Sequence, residues 1–150
     1  MSVAAIRFLE PGDIPAILRI QDSSREAAQW PQSAYENLGR IGQQAWVAEH
    51  EGHLVGFLVA RAMASEMEIL NLAVEPTVRR KGIGHALLRE ALSWAVQNGA
   101  GRAFLEVRAS NSAARQFYEA HGFASAGVRA NYYHDPVEGA LLLTRILGRK

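Results

Sequence analysis

Arg79-Arg80-Lys81-Gly82-Ile83-Gly84 leads without a break into apolar residues at helical spacing, and a β-prone run over 68–74 precedes it. A strand, a basic loop with two glycines and a helix therefore follow one another. Glycines let a ligand approach the backbone, and the free N–H groups at a helix start attract anions. The segment predicts a phosphate-binding loop. A basic, glycine-containing helix start without a ligand is the alternative.

Spacing excludes two familiar phosphate-binding loops. A Walker A loop needs Lys and then Ser or Thr after its second glycine, whereas His85 and Ala86 follow Gly84 here. A dinucleotide-binding turn needs a third glycine at the position that Leu87 occupies. The loop therefore belongs to neither a P-loop ATPase nor a typical dinucleotide-binding domain.

Strand and helix signals alternate along the rest of the chain. Strands are predicted at 3–8, 46–49, 54–60, 68–74, 103–107, 124–129 and 140–146, with a hairpin turn at Glu51-Gly52. Helices are predicted after an Asp13 cap, once within 25–44, between Gly84 and Asn98, and from a cap at Ser110 or Asn111 to His121. The third carries an apolar stripe of Ala86, Leu87, Ala91, Leu92, Ala95 and Val96. An aromatic loop, 131–136, joins the last two strands. This order favours the α/β class, with a mixed sheet and helices on both faces.

Composition indicates one globular domain over residues 1–150, with 49% apolar and 21% charged residues. The absence of cysteine excludes disulfide scaffolds, Cys-ligated metals and acyl transfer through a protein thiol. A formal net charge of +1 argues against a nucleic-acid partner. No signal peptide and no apolar run of membrane-spanning length is present, which predicts a soluble cytoplasmic protein without a membrane partner. The five histidines lack zinc spacing, so no metal is expected.

Residues 68–133 resemble the GNAT acyl-CoA N-acyltransferases. Their pyrophosphate loop, Gln/Arg-x-x-Gly-x-Gly/Ala, is matched by Arg79, Gly82 and Gly84. The run 72–76 is similar to the strand whose main chain pairs with the pantetheine arm, and 111–114 with 117–123 matches the second cofactor motif. Within the GNATs, 105–111 and 129–133 most closely resemble the bacterial ribosomal-protein-alanine N-acetyltransferase (RimI) family.

The resemblance implies a GNAT domain with a mostly antiparallel central sheet, and it assigns roles to individual residues. The residues that it places at acetyl-CoA are Leu72, Ala73, Val74, Arg79, Arg80, Lys81, Gly82, Ile83, Gly84, His85 and Asn111. It implies that Glu106 is the general base, that Tyr118 is the general acid on the coenzyme sulfur, and that the Val74 N–H polarises the thioester carbonyl. Trp30, Tyr132 and Tyr133 are the candidate acceptor-binding residues.

Each of these residues also has a purely structural interpretation. Glu106 could pair with Arg108 or Arg129, Tyr118 could pack in the core, and Asn111 could cap a helix. The aromatic residues could pack on the sheet. Two departures from the family pattern affect the acceptor side, because Glu138-Gly139 replaces the usual acidic pair and Trp30-Pro31 inverts a Pro-Trp order.

The resulting prediction is a cytoplasmic N-acetyltransferase that uses acetyl-CoA without a metal. Its expected acceptor is the α-amino group of a protein N-terminus, with N-terminal Ala of a ribosomal protein as the leading candidate. Transfer is expected to be direct, in a ternary complex. The alternatives are a GNAT acting on a small-molecule amine or a lysine side chain, and a non-catalytic acetyl-CoA-binding module. The sequence makes no prediction of oligomeric state.

Overall fold

The computed structural model describes residues 4–24, 26–79, 81–134 and 137–147, except for the side chains of residues 40 and 41. Arg80, which the sequence assigns to the coenzyme, and residues 135–136 of the predicted aromatic loop lie outside this part of the chain. No helix in the described ranges is both long and apolar enough to cross a membrane.

Within these described ranges, seven strands form one mixed sheet, and four α-helices pack on it. The strands are β1 (Ala5–Phe8), β2 (Gln43–His50), β3 (His53–Met63), β4 (Glu66–Val74), β5 (Arg102–Arg108), β6 (Ala124–Tyr133) and β7 (Glu138–Ile146). The helices are α1 (Ile14–Asp22), α2 (Gln32–Glu36), α3 (Ile83–Gln97) and α4 (Ser112–Ala120). The strand order is β1-β2-β3-β4-β5-β7-β6, and only β4 and β5 run parallel.

The parallel pair at the centre of the sheet is short. Only three residue pairs, from Glu66–Arg102 to Glu68–Phe104, join β4 to β5. Immediately afterwards the β3–β4 ladder skips Leu70, since Val59 faces Asn71 and Ala60 faces Ile69. Such a bulge bends the strand that carries it. Beyond it, β4 pairs with β3 alone, so the sheet is split between its two central strands.

Two apolar layers fill the space on either side of the sheet. On one face α3 and α4 pack against the sheet, with Leu87, Leu88, Leu105 and Tyr118 in a common buried cluster. On the other face α1 and α2 cover the first strands through a second cluster. The α/β class and the helices on both faces, predicted from the sequence, are confirmed.

The predicted hairpin turn at Glu51-Gly52 is also observed. Both residues have positive φ, 53° and 81°, as a two-residue type I′ turn requires.

The apolar stripe predicted for α3 was partly wrong, because Val96, which was included in it, is 44% exposed, and Leu88, which was not, is buried. Asp13 precedes α1, but its side chain does not cap that helix. It accepts hydrogen bonds from Arg7 and from the Glu10 N–H.

Two further element predictions were wrong. The single helix predicted within 25–44 is a five-residue α2 and a short 3₁₀ turn, and β2 begins at Gln43, directly after Gly42 with a φ of +72°. The segment 131–133, predicted as loop, belongs to β6. There the β6–β7 ladder shifts register between Arg129 and Tyr133, and Asn131 has a φ of +56°. An irregular strand of this kind carries the polar residues and positive φ that are typical of a loop.

Candidate active site

The loop before α3 leads into a helix whose first backbone N–H groups have no acceptor within the helix. Gly82 is the N-cap with a φ of +83°, and no atom lies within 4 Å of the position that a Cβ would take. The Ala86 N–H donates to the Gly82 carbonyl, so the amides between them have no acceptor within the helix. Lys81 beside them is exposed, whereas Ile83 is buried. This arrangement attracts an anion to the start of a 15-residue helix.

Gly84 has a different role from Gly82. A Cβ at Gly84 would lie 3.2 Å and 3.3 Å from two ring carbons of Phe117 in α4, so the missing side chain lets the two helices approach. His85 adds a second link, with 2.8 Å between its Nδ1 and Nε2 of His121. The loop and the second motif predicted from the sequence are therefore in direct contact.

The main chain of β4 reaches the split beside this loop. The Glu75 N–H donates to the Val55 carbonyl of β3 at 2.8 Å. Since successive amides of a strand point to opposite sides, the Val74 N–H points away from β3 and toward the gap. The Leu72 N–H, on the same side as that of Val74, is already accepted by Oδ1 of Asn71 at 3.0 Å. Ala73 lies between them and pairs with Phe57 of β3.

The side chain of Arg79, which the sequence predicts to bind a phosphate, is hydrogen-bonded to other groups of the protein. Its Nε donates to the Val74 carbonyl at 2.8 Å, and its Nη2 lies 3.1 Å from Oγ of Ser24 and 2.9 Å from Oε2 of Glu26. The guanidinium thus ties the segment after α1 to the end of β4. Ser24 and Glu26 are more than 50 residues away, and nothing in the local sequence indicates them.

Glu106 lies on the face of β5 that α3 and α4 do not cover. Its neighbours Leu105 and Val107 belong to the buried cluster on the helix face, and side chains alternate along a strand. The Glu106 side chain is 18% exposed, and its Oε2 lies 3.3 Å from Nη2 of Arg129 on β6. Arg129, one of the two arginines considered from the sequence, therefore forms an ion pair with Glu106.

Tyr132 and Tyr133, the tyrosines predicted to bind the acceptor, each carry an arginine over the ring. The Arg129 guanidinium lies 4.7 Å from the ring centre of Tyr132, and that of Arg108 lies 4.6 Å from that of Tyr133. Burial, and then the charge of Glu106, raises the pKa of Tyr133. Glu106, Arg129 and the two tyrosines therefore form one cluster, which we call the acceptor cluster.

Glu138, one of the sequence departures, is fully engaged beside this cluster. Its Oε1 lies 3.2 Å from Nη1 of Arg108, and its Oε2 accepts the Ser110 N–H at 2.7 Å. The hydrogen bonding from Ser110, followed by that from Arg108, holds the pKa of Glu138 below its ordinary value. Next to it, a Cβ at Gly139 would lie 3.3 Å from the Arg129 carbonyl oxygen. A second acidic side chain at residue 139 would therefore press against β6.

Tyr118 is 5% exposed on the helix side of the sheet. Its ring packs edge-to-face on Phe117 and Phe123, at centroid distances of 5.1 Å and 5.4 Å. Burial raises the pKa of Tyr118 above its ordinary value, so the phenol keeps its proton at neutral pH. Within the described part of the chain its hydroxyl makes no hydrogen bond, and its oxygen is not among the fully buried unpaired side-chain atoms. The hydroxyl is therefore a protonated donor that the protein does not completely enclose.

The remaining predicted site residues have structural partners. Oδ1 of Asn111 accepts the Ala114 N–H at 3.1 Å, so Asn111 caps α4. Trp30 is half-buried and packs on Tyr35 at 5.4 Å on the α1–α2 face.

The sequence reasoning missed Asn71, a buried polar residue of β4. Its amide exchanges hydrogen bonds with both the N–H and the carbonyl of Ala28, at 3.1 Å and 2.9 Å, and its Nδ2 lies 3.4 Å from the Tyr35 hydroxyl. Asn71 thereby fixes the segment between α1 and α2 on the sheet beside the split. A polar residue within the apolar run 68–74 was the available signal.

The fold and site together define a class. A mixed sheet that splits between its central strands, with an anion-binding helix start beside the split and a carboxylate on its open face, is the architecture of an acyl-CoA-dependent N-acetyltransferase. Residues 14–123 match the sequence profile of the acetyltransferase (GNAT) family, and the chain belongs to that family.

Individual relatives agree with this assignment. The chain is 32% identical over 128 residues to the [ribosomal protein bS18]-alanine N-acetyltransferase of Escherichia coli strain K12, covering 85% of this chain and 86% of the relative. It is 35% identical over 116 residues to the N-alpha-acetyltransferase RimI of Mycobacterium tuberculosis, covering 74% and 70%. The crystal structure of the Escherichia coli ribosomal-protein-S18-alanine N-acetyltransferase matches with a TM-score of 0.87 at 29% identity, over 99% and 96% of the two chains. The resemblance to GNAT and RimI-like enzymes is confirmed, and the protein is an N-acetyltransferase.

Proposed function

We propose that residues 1–150 form one cytoplasmic acetyltransferase domain that acetylates the α-amino group of a protein N-terminus, with N-terminal Ala of a ribosomal protein as the leading acceptor. The observation that carries this proposal is the acceptor cluster. It places a partly exposed carboxylate beside two aromatic rings on the open face of the split sheet. The two relatives, named for alanine and N-alpha acetylation, support the same acceptor.

The residues around the loop fit the pyrophosphate of acetyl-CoA. Gly82 leaves open space in front of the first amides of α3, and Lys81 supplies an exposed positive charge. In this proposal the main chain of β4 beyond Glu68 pairs with the pantetheine arm in place of β5. The Val74 N–H then donates to the thioester carbonyl.

Direct transfer needs a base for the amine and an acid for the leaving thiolate. Glu106 accepts the proton of the attacking amine, directly or through water. Tyr118 donates its phenolic proton to the coenzyme sulfur as the C–S bond breaks and the C–N bond forms. The chain has no cysteine, so it offers no thiol for an acyl-enzyme intermediate.

Protonation equilibria favour an α-amine over a lysine as acceptor. Only the neutral amine attacks a thioester, and at pH 7 an α-amino group is roughly 10% neutral, whereas a lysine is only about 0.04% neutral. The difference is worth about 3 kcal/mol. Glu106, as a single carboxylate base, is therefore better matched to an α-amino group, which loses its proton more readily than a lysine side chain does.

The test compares peptides that differ only in which amine is free. One peptide has N-terminal Ala and an internal Lys, a second is the same peptide blocked at its N-terminus, and a third has a large residue in place of Ala. We expect mass spectrometry to place the acetyl group on the N-terminus of the first peptide, with little product from the blocked one. Equal rates with the blocked peptide would assign the enzyme to lysine side chains. Transfer only to free small amines would assign it to metabolites.

A further inference from the structure

The two arginines of the acceptor side are held very differently. Arg108 pairs with Glu138 and also donates from Nη2 to the His134 carbonyl at 3.1 Å. Among the residues that the structure describes, Arg129 has one ion pair, to Glu106 at 3.3 Å, and its side chain is 62% exposed whereas that of Glu106 is 18% exposed. An ion pair with one solvent-exposed partner contributes only about 1 kcal/mol. Arg129 is therefore the arginine that can leave its partner at little cost.

The backbone brings Arg129 to Glu106. Arg129 pairs with Ala140 on β7, and Glu106 pairs with Leu142 on the other side of the same strand. Gly139 permits the close approach, since a Cβ there would lie 3.3 Å from the Arg129 carbonyl oxygen. A glycine therefore stands beside the Arg129 backbone at the position where a second acidic residue was expected from the family pattern.

The surroundings of Arg129 form a site for a cation. Its guanidinium lies between the Glu106 carboxylate and the ring of Tyr132, and carboxylates and aromatic faces both attract positive charge. Glu106 is held on the inner strand β5 and is 18% exposed, whereas Arg129 lies on the edge strand β6. If a second cation enters, Arg129 is the partner that moves.

We propose that Arg129 occupies the site of the acceptor's α-ammonium group in the resting enzyme, and that the incoming N-terminus displaces it from Glu106. This inference rests on the proposed function. The α-ammonium, like the guanidinium, is a cation with N–H donors, and it enters the site before it loses the proton that Glu106 accepts. Arg129 is then a competitor for the acceptor site and a positioning residue for Glu106, without contact to the acetyl group.

The experiment measures peptide affinity in a non-reactive complex. Isothermal titration calorimetry is carried out with saturating CoA, which has no acetyl group to transfer. The probes are an uncharged-side-chain hexapeptide with a free N-terminal Ala and the same peptide with an acetylated N-terminus. We expect Arg129→Gln to tighten binding of the free peptide by about two- to fivefold, because no ion pair has to be broken. Arg129→Lys, which keeps the charge, should restore the wild-type affinity.

The acetylated peptide separates competition from a structural effect. It carries no ammonium group, so its affinity should be the same for wild type and Arg129→Gln. Arg102→Gln is the matched control, because Arg102 also pairs with a glutamate, Glu66, and lies over an aromatic ring, Phe104, at the other end of β5. It should change neither affinity.

Two results would overturn the displacement. Weaker binding of the free peptide to Arg129→Gln would make Arg129 a contact for the acceptor, and equal changes for both peptides would make its effect structural. Transfer of acetyl groups is assayed with the same wild-type preparation. Activity on N-termini with no change in affinity contradicts the displacement alone, whereas no transfer to any N-terminus contradicts the proposed function and the displacement with it.

Discussion

Glu106 owes its position to the alternation of side chains along β5, which directs its neighbours into the core and the carboxylate toward the open face. We expect Glu106→Gln to lower kcat by at least about a hundredfold near neutral pH, because the amide cannot accept the proton. Steady-state kinetics with acetyl-CoA and an N-terminal Ala peptide measures this. Glu66→Gln removes another arginine-paired carboxylate and should leave the rate unchanged. A Glu106→Gln enzyme with wild-type turnover would reduce Glu106 to an ion-pair partner of Arg129.

Tyr118 allows a similar separation of chemistry from packing. Tyr118→Phe keeps the ring between Phe117 and Phe123 and removes a hydroxyl that has no partner in the described ranges. We therefore expect kcat to fall by about a hundredfold while the affinity for acetyl-CoA and the melting temperature stay close to the wild-type values. Calorimetric titration and thermal unfolding provide the two controls. A large loss of stability with unchanged kcat would show that the residue serves the core.

The raised pKa of Tyr118 also has a consequence for stability. The folded state favours the protonated phenol, so this contribution is fully present below the ordinary pKa of about 10 and is lost as the pH rises beyond it. Tyr118→Phe should therefore unfold less readily than wild type above pH 10, which thermal unfolding across this pH range measures. Tyr35, whose pKa burial raises to about 12, is unchanged in both proteins and does not affect the comparison.

Single residues were predictable where their role is local or carried by a motif. Asn111 was predicted as a cap, and its side chain caps α4. The partners of Arg79 were not predictable, because Ser24 lies 55 residues away and approaches only once the sheet has formed. The same is true of Asn71 and Ala28, which are separated by 43 residues. Local spacing contains no information about such pairs.

At the level of elements, substitution of two glycines tests whether the start of α3 binds acetyl-CoA. Gly82 and Gly99 flank this helix, have φ values of +83° and +90°, and have no atom within 4 Å of the place that a Cβ would occupy. Gly82→Leu and Gly99→Leu should therefore lose similar stability, about 1–2 kcal/mol each, from the left-handed backbone. Only Gly82→Leu should lose affinity for acetyl-CoA, by more than about tenfold. Equal affinities in a calorimetric titration would place the coenzyme elsewhere.

Elements with strong local signals were predicted well. The turn at Glu51-Gly52 and the long helix after Gly82 follow from residue preferences and periodicity. The segment 25–44 was mispredicted because the spacing of its apolar residues is compatible both with one long helix and with an irregular segment that tertiary contacts hold on the sheet. The split after Glu68 could not be predicted from spacing, since it depends on where two strands separated by a helix stop pairing.

For the whole molecule, acetyl-CoA should act as a stabilising ligand. A ligand that binds only the folded state at 100 times its dissociation constant adds about 2.7 kcal/mol, which for a domain of this size is an increase of roughly 5–10 °C in the melting temperature. Thermal unfolding with increasing acetyl-CoA measures the shift. CoA should give a similar increase because it shares the pyrophosphate that the loop is proposed to bind, whereas adenosine should give a much smaller one. No shift with either coenzyme would contradict the proposed cosubstrate.

The outermost strand has a consequence for the enzyme in solution. β6 lies at the edge of the described sheet, and its residues from Ala124 to Asn131 are all exposed. A straight strand of that length would be a template on which further chains add and aggregate. Its ladder is interrupted twice, after Ser125 and after Arg129, and a bulged edge is a poor template. We therefore expect the irregular strand that carries Tyr132 and Tyr133 also to disfavour edge-to-edge association of concentrated enzyme.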